Sequence, residues 1–109
     1  QLLLARNATV TVAHSRSKDL ASLVREAEIV AAATGKAGLV RGEWLRRGAV
    51  VLDFGATMVG DKPVGDVCYE EAVGHVSAIT PVPGGTGPMT NAILLKNTVK
   101  AIRRALGMR

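Results

Sequence analysis

The stretch at residues 80–90, TPVPGGTGPMT, contains the residue types best suited to a rigid binding loop. Three of the four prolines of the chain lie here, together with three glycines. Proline fixes φ and removes an N–H donor, whereas glycine lets the backbone adopt positive φ and approach a ligand closely. An elaborate strand-to-helix turn would also explain this composition. So much rigidity in one loop nevertheless favours a binding site.

The same loop is predicted to connect a buried strand to a helix. An apolar run at residues 76–79 precedes the loop, and a helical pattern begins near Met89. Pro88 suits the first helical position, with Thr86 or Gly87 as the N-cap. Because no acid occupies the first turn, the helix start is open to an anion or a carbonyl oxygen.

Two more candidate residues stand at or just after the ends of apolar runs. A carboxylate at the end of a buried strand needs partners, so Asp53 is expected to accept the amide of Gly55 and its neighbours and to shape the turn. A role for Asp53 as a catalytic acid or base is less favoured. Gly35 lies in TGKAG, which lacks the spacing of a phosphate-binding P-loop. We expect the Gly35 backbone to approach a cofactor, with Lys36 facing water.

The histidines and the single cysteine are expected to be structural. His14 and His75 lie at strand edges without a partnered carboxylate or serine in sequence reach, so a hydrogen-bonded structural role is favoured over general-base catalysis. Cys68 is the only cysteine, which excludes an internal disulfide and is typical of a small buried hydrophobe. The spacing of the possible ligands predicts no metal site.

These residues are placed by a predicted open parallel sheet of the α/β class. Strands are predicted at residues 9–13, 29–33, 50–53 and 75–79, and helices at 20–27, 43–47, 69–73 and from 89 onward, with a hairpin-like excursion at 58–67. Asn7 is expected to end a first helix, and Ser17 or Asp19 to cap the second. One apolar face of the last helix is predicted at Ala92, Leu95, Val99, Ile102 and Leu106.

The polar and glycine-bearing loops all follow predicted strands. They occupy residues 15–18, 34–38, 55–57 and 80–87. Since the carboxyl ends of parallel strands share one edge, these loops are expected to converge on one cleft. In a dinucleotide fold the loop after the second strand usually presents an acid to the ribose 2′-hydroxyl, but residues 14–18 contain none. Ser15, Arg16 and Ser17 suit a phosphate instead, which favours NADP over NAD, although a solvated basic turn would have the same composition.

Composition limits the remaining classes. The 109 residues are 48% apolar, enough for the core of one small domain. The net charge of +5 fits a phosphate-bearing ligand, nucleic acid or an ordinary basic surface. With only 3% aromatic residues, a nucleic-acid stacking platform has little to build on. No apolar run is long enough to span a bilayer and no signal-peptide pattern occurs, so a soluble, intracellular protein without a membrane partner is expected.

The motifs in their order resemble those of a known family. HSRS at 14–17, GKAG at 35–38, DFGA at 53–56, VGDV at 64–67 and the loop at 80–90 are similar to the cofactor-binding domain of the bifunctional methylenetetrahydrofolate dehydrogenase/methenyltetrahydrofolate cyclohydrolase. The resemblance covers essentially the whole chain. It implies a Rossmann-like open parallel sheet with flanking helices. Residues 1–109 would form a partial NAD(P)-binding domain, whose first strand and Gly-rich loop are expected before Gln1.

The resemblance also implies an activity and its partners. The complete enzyme would oxidise 5,10-methylenetetrahydrofolate by hydride transfer to NADP and hydrolyse the methenyl product to 10-formyltetrahydrofolate. Its catalytic Lys and Tyr belong to a folate domain expected before Gln1, so this chain alone would have no catalytic residue and no activity. A cytoplasmic enzyme of one-carbon metabolism and purine biosynthesis, working as a homodimer, is expected. In the family the last helix packs on the folate domain. Where that domain is missing, the apolar face of the helix is expected to self-associate.

Site residues are carried over by position. The cofactor would be bound by Ser15, Arg16, Ser17, Gly35, Gly55, Ala56 and Thr90, and the folate side of the cleft would be lined by Pro83, Gly84 and Gly85. Ser15 and Arg16 would meet the 2′-phosphate and the Ala56 backbone the nicotinamide. The chain departs from the family pattern at Ala37 (usually Pro), Thr86 (usually Val) and Ala56-Thr57 (usually Ile-Asn), which implies a roomier, more polar nicotinamide pocket.

Two other functions remain open from the sequence. A stand-alone NADP-binding or regulatory module would explain the missing catalytic part. A basic nucleic-acid-binding domain would explain the charge and the basic last helix, but it leaves the proline-glycine loop at 80–90 unexplained and ranks behind the other two.

Overall fold

A parallel sheet forms the centre of the chain. The computed structural model describes residues 1–108. Three parallel strands are ordered β1 (Ile29–Ala32), β2 (Val50–Asp53) and β5 (Ala78–Ile79), with β2 in the middle. Two shorter antiparallel strands, β3 (Thr57–Val59) and β4 (Lys62–Val64), form the predicted hairpin. The predicted α/β class and parallel sheet are confirmed.

Helix α1 (Leu20–Glu26) precedes β1, α2 (Tyr69–Ala72) lies between β4 and β5, and α3 (Thr86–Ala105) follows β5. Two 3-10 turns lie at Leu4–Arg6 and Gly42–Trp44. Asp19 caps α1, because its Oδ1 accepts from the Ser22 amide at 3.2 Å and its Oδ2 from the Ser22 hydroxyl at 2.6 Å. Those hydrogen bonds, the hydroxyl first, lower the pKa of Asp19 below its usual value of 3.8. Asn7 ends the first turn at φ 62°, as expected.

Small aliphatic side chains on one face of the sheet make the core. Along β1 buried and exposed residues alternate, so only one face of that strand is covered. The buried cluster consists of Val24, Val30, Ala32, Val40, Leu45, Val51, Val67 and Ala72. Val51 of β2 has no exposed surface and belongs to the same buried cluster as Val24 of α1 and Ala72 of α2.

One strand prediction is wrong and another is too long. Residues 9–13 pair with no strand among residues 1–108 and are almost entirely exposed, although their β-branched composition favours extended structure. A strand needs a neighbouring edge for its amides, and composition alone does not supply one. The last parallel strand is also shorter than predicted, because the His75 and Val76 amides both donate to the Ala72 carbonyl and continue the turn after α2. The described sheet therefore has three parallel strands, not four.

The last helix differs from prediction in its start and its packing. It begins at Thr86 with Gly85 as N-cap, so Pro88 is the third helical residue. None of its residues is buried, and the predicted apolar face stands in solvent. The radius of gyration is 16.4 Å, against about 13 Å for a compact domain of this length. No helix among the described residues is long and apolar enough to cross a membrane.

Candidate functional site

An open cleft lies between the loop after β2 and the proline-glycine loop after β5. Its volume is about 320 Å³. The lining residues are Phe54, Gly55, Ala56, Pro63, the residues 81–88 and Asn91. Because β2 and β5 are parallel neighbours, both loops leave the sheet at its carboxyl edge, where open α/β sheets bind ligands.

The proline-glycine loop keeps its shape through glycines at positions that exclude larger residues. Gly84 has φ 92°, a conformation that side-chain-bearing residues rarely adopt. A Cβ on Gly85 would lie 2.9 Å from the Cβ of Thr80 and would overlap the Pro81 carbonyl oxygen. Pro83, Gly84 and Gly85, predicted on the folate side, all line the cleft.

Two threonines fasten this loop to the end of β2. The Asp53 amide donates to Thr80 Oγ1 at 2.9 Å, and Thr86 Oγ1 donates to the Asp53 carbonyl oxygen at 2.9 Å. Both ends of the loop are thus held against one residue of the central strand. Sequence reasoning did not select Thr80, and it indicated Thr86 only as a possible cap or as a departure from the family pattern.

The Asp53 carboxylate performs the predicted structural role. Its Oδ1 accepts from the Gly55 amide at 2.8 Å, as expected, and also from the Asp66 amide at 3.0 Å. Its Oδ2 accepts from the Val67 amide at 2.9 Å. With only 3% of its surface exposed, Asp53 shapes the β2 loop and has no open face for acid or base catalysis.

Gly35 lies beside a second buried carboxylate that sequence reasoning missed. Asp66 Oδ2 accepts from the Thr34 amide and, at 3.0 Å, from the Gly35 amide. The Gly35 N–H is therefore occupied within the protein. Gly35 has φ 69°, and no heavy atom lies within 4 Å of its Cβ position, so its Cα faces open space. Close approach of a ligand to Gly35 would involve this bare Cα.

The basic loop forms a compact turn organised by His14. The His14 amide donates to Ser17 Oγ at 2.9 Å, the Ser17 amide donates to the His14 carbonyl oxygen at 2.9 Å, and the Arg16 amide donates to His14 Nδ1 at 3.1 Å. Ser15 and the Arg16 guanidinium are exposed. The lining of the cleft includes Gly55, Ala56 and residues 83–85, and it does not include Ser15, Arg16 or Ser17.

Thr90 belongs to α3 and does not line the cleft. Its hydroxyl donates to the Thr86 carbonyl oxygen at 2.9 Å, one helical turn earlier. Asn91, which sequence reasoning did not select, lines the cleft in its place. Ala56 is exposed at the cleft and carries only a methyl group.

The remaining candidates are structural. His75 Nε2 lies 2.8 Å from the Leu45 carbonyl oxygen, as expected of a hydrogen-bonded histidine. Cys68 is half-buried, not buried as predicted, and is the N-cap residue of α2. The Gly42 amide, foremost, lowers the pKa of Glu71 below 4.5. No group of three or more possible metal ligands occurs in the described part of the chain.

Two curated relatives match more than nine tenths of the chain in sequence. The chain is 61% identical over 103 residues to the bifunctional protein FolD of Roseiflexus castenholzii, covering 94% of this chain and 36% of that protein. It is 63% identical over 102 residues to the bifunctional protein FolD of Herpetosiphon aurantiacus, covering 93% of this chain and again 36% of that protein. The chain thus spans little more than a third of the curated relatives that it matches.

Solved structures agree in fold. The methylenetetrahydrofolate dehydrogenase-cyclohydrolase of Trypanosoma brucei, complexed with NADP and an inhibitor, superposes with a TM-score of 0.90 at 47% identity, over 96% of this chain and 38% of that one. The corresponding enzyme of Campylobacter jejuni gives a TM-score of 0.90 at 44% identity, over 95% of this chain and 37% of the other. A family profile matches residues 1–106. The chain belongs to the family described as tetrahydrofolate dehydrogenase/cyclohydrolase, NAD(P)-binding domain.

Proposed function

We propose that this chain is the NADP-binding part of an enzyme that oxidises 5,10-methylenetetrahydrofolate to 5,10-methenyltetrahydrofolate and hydrolyses the product to 10-formyltetrahydrofolate. The observation that carries the proposal is the cleft between the β2 loop and the proline-glycine loop, in a fold that matches an NADP-bound relative with a TM-score of 0.90. In this proposal residues 1–109 form a partial Rossmann domain, and the remaining parts of the site belong to other segments of the enzyme.

The residues of the chain fit an NADP molecule laid along the carboxyl edge of the sheet. Ser15, Arg16 and Ser17 would bind the 2′-phosphate, since a guanidinium and two hydroxyls are good hydrogen-bond donors to a phosphate. Gly55 and Ala56 would lie beside the nicotinamide, because both line the cleft and Ala56, which is exposed there, carries only a methyl group. The bound cofactor supplies the hydride acceptor.

Two more cofactor contacts and the folate contacts complete the proposed site. Gly35 would contact the cofactor through its exposed Cα, and Thr90 would stand on the cofactor side. Pro83, Gly84 and Gly85 would line the folate side of the cleft. No catalytic side chain is assigned to this chain, and the proposal includes neither a nucleic-acid nor a membrane partner.

A calorimetric titration tests the cofactor assignment. The polypeptide encoded by the complete reading frame is expected to bind NADP at least about tenfold more tightly than NAD, because only NADP offers a 2′-phosphate to Arg16. Equal affinities would contradict the assignment of the basic loop. In an absorbance assay with methylenetetrahydrofolate and NADP, that polypeptide should reduce NADP and the 109-residue chain should not. Reduction of NADP by the 109-residue chain alone would contradict the proposal that other segments of the enzyme supply part of the site.

The proposal extends to assembly and location. We propose a cytoplasmic homodimer that supplies formyl groups for purine biosynthesis. Exposed apolar side chains of α3 and its C-cap, among them Leu95 at 67% and Leu106 at 68%, support burial of this helix against another protein surface. Light scattering after size-exclusion chromatography of the 109-residue chain should give twice the monomer mass, and a monomer at all concentrations would contradict self-association through α3.

A further inference from the structure

Two buried carboxylates connect three segments of the chain beside the cleft. Asp53 ends β2, and Asp66 follows the β3–β4 hairpin; they are 3% and 0% exposed. The Asp66 amide donates to Asp53 Oδ1 at 3.0 Å, so the two residues are joined directly. Asp53 holds the Gly55 amide of the β2 loop, and Asp66 holds the loop that follows β1.

The Asp66 side chain acts on two consecutive backbone amides. Its Oδ2 accepts from both Thr34 and Gly35. Successive amides that point at one oxygen form a concave anion-binding arrangement, which in many proteins binds a phosphate. Here a protein carboxylate occupies that place, so these amides point into the protein and the bare Cα of Gly35 remains outside. Asp66 thereby orients the loop after β1 so that the Gly35 Cα, and not the Thr34 and Gly35 amides, is exposed at the carboxyl edge of the sheet.

The carboxylates have no room to move. A Cβ on Gly55 would overlap the Asp66 carboxylate, and a Cβ on Gly65 would overlap the Asp53 carboxylate. Asp66 Oδ1 lies buried against Gly55 without a hydrogen-bond partner among the described residues. Because glycines close the cluster on both sides, a displacement of Asp66 would move the β1 loop and the β2 loop together.

We propose that Asp66 is a positioning residue for the dinucleotide: it turns the Thr34 and Gly35 amides away from the ligand and fixes the β1 loop relative to Gly55 through Asp53. This inference rests on the proposed function for its ligand. It does not require Asp66 to touch the cofactor, which its complete burial prevents.

Hydrogen exchange and cofactor affinity together test the inference on the polypeptide of the complete reading frame. In Asp66→Ala, peptides that contain Thr34 and Gly35 should exchange at least about tenfold faster without ligand, because their amides lose their acceptor. Peptides from α1 should be unchanged. The Kd for NADP should rise about tenfold. Asp61→Ala, which removes an exposed carboxylate at the hairpin tip, is the matched control and should behave as the unaltered protein.

Asp66→Asn keeps one acceptor oxygen for the same two amides and is expected to rescue both readouts to within about threefold. It also covers the case in which Asp66→Ala does not fold. Unchanged exchange of the Thr34 and Gly35 peptides in Asp66→Ala, or a Kd in both Asp66 variants equal to that of Asp61→Ala, would overturn the inference. If the unaltered protein does not bind NADP, the proposed function fails, while the exchange of these peptides still decides whether Asp66 positions the β1 loop.

Discussion

Replacing Asp53 by asparagine should destabilise the fold by about 3 kcal/mol. The carboxylate accepts from three amides, those of Gly55 at 2.8 Å, Asp66 at 3.0 Å and Val67 at 2.9 Å. An asparagine oxygen can replace Oδ1 and keep the first two bonds. Its NH₂ group then faces the Val67 N–H, which leaves two buried donors without acceptors. Each buried orphan costs about 1–3 kcal/mol, and partial relaxation lowers their sum.

Urea unfolding followed by circular dichroism and Trp44 fluorescence measures this loss. Asp61→Asn is the control, since it makes the same chemical change at an exposed position, where an effect within about 0.5 kcal/mol is expected. A similarly small effect of Asp53→Asn would refute the view that Asp53 organises the loops around the cleft. A large loss with an unchanged slope against urea would support it.

Three other outcomes are expected. In the complete enzyme Arg16→Gln should raise the KM for NADP about 10- to 100-fold, because the charged contact to the 2′-phosphate is lost. The KM for NAD, which has no 2′-phosphate, should rise less than about threefold. The pKa of Glu71 is held below 4.5, mainly by the Gly42 amide, so its stabilising contribution is complete above that pH and is lost as the pH falls through the folded-state pKa. Urea midpoints of Glu71→Gln should therefore depend less on pH below about 4.5 than those of the unaltered chain. Gly42→Ala should cost more than about 1 kcal/mol in the same unfolding assay, because the new Cβ would lie 2.5 Å from Glu71 Cβ. Gly87→Ala, with no atom within 4 Å of its Cβ position, should cost nothing.

Local patterns were sufficient to predict the parts of the fold that depend on neighbouring residues. The apolar runs that became β1 and β2, the hairpin and the cap of α1 are encoded within a few residues of one another. The bond from the Gly55 amide to Asp53 spans only two residues. For the same reason the character of the loop at 80–90 could be inferred from its own prolines and glycines.

Contacts between distant residues could not be predicted in this way. Asp66 donates to Asp53 from 13 residues away and accepts from Gly35 across 31 residues. Nothing in the spacing of these residues indicates that they meet. The predicted start of α3 is too late for a related reason. Pro88 alone suggests a helix that begins at residue 88, but the helix begins at Thr86. Thr86 donates a hydrogen bond to the carbonyl oxygen of Asp53, 33 residues earlier, and this contact accompanies the earlier start.

A crystal structure of the complete-reading-frame protein with NADP tests the central claim most directly. The claim predicts the 2′-phosphate within hydrogen-bond distance of the Arg16 guanidinium and the nicotinamide in the cleft between Gly55 and Gly85. A nucleotide bound elsewhere, with neither Arg16 nor Gly55 in contact with it, would contradict the claim.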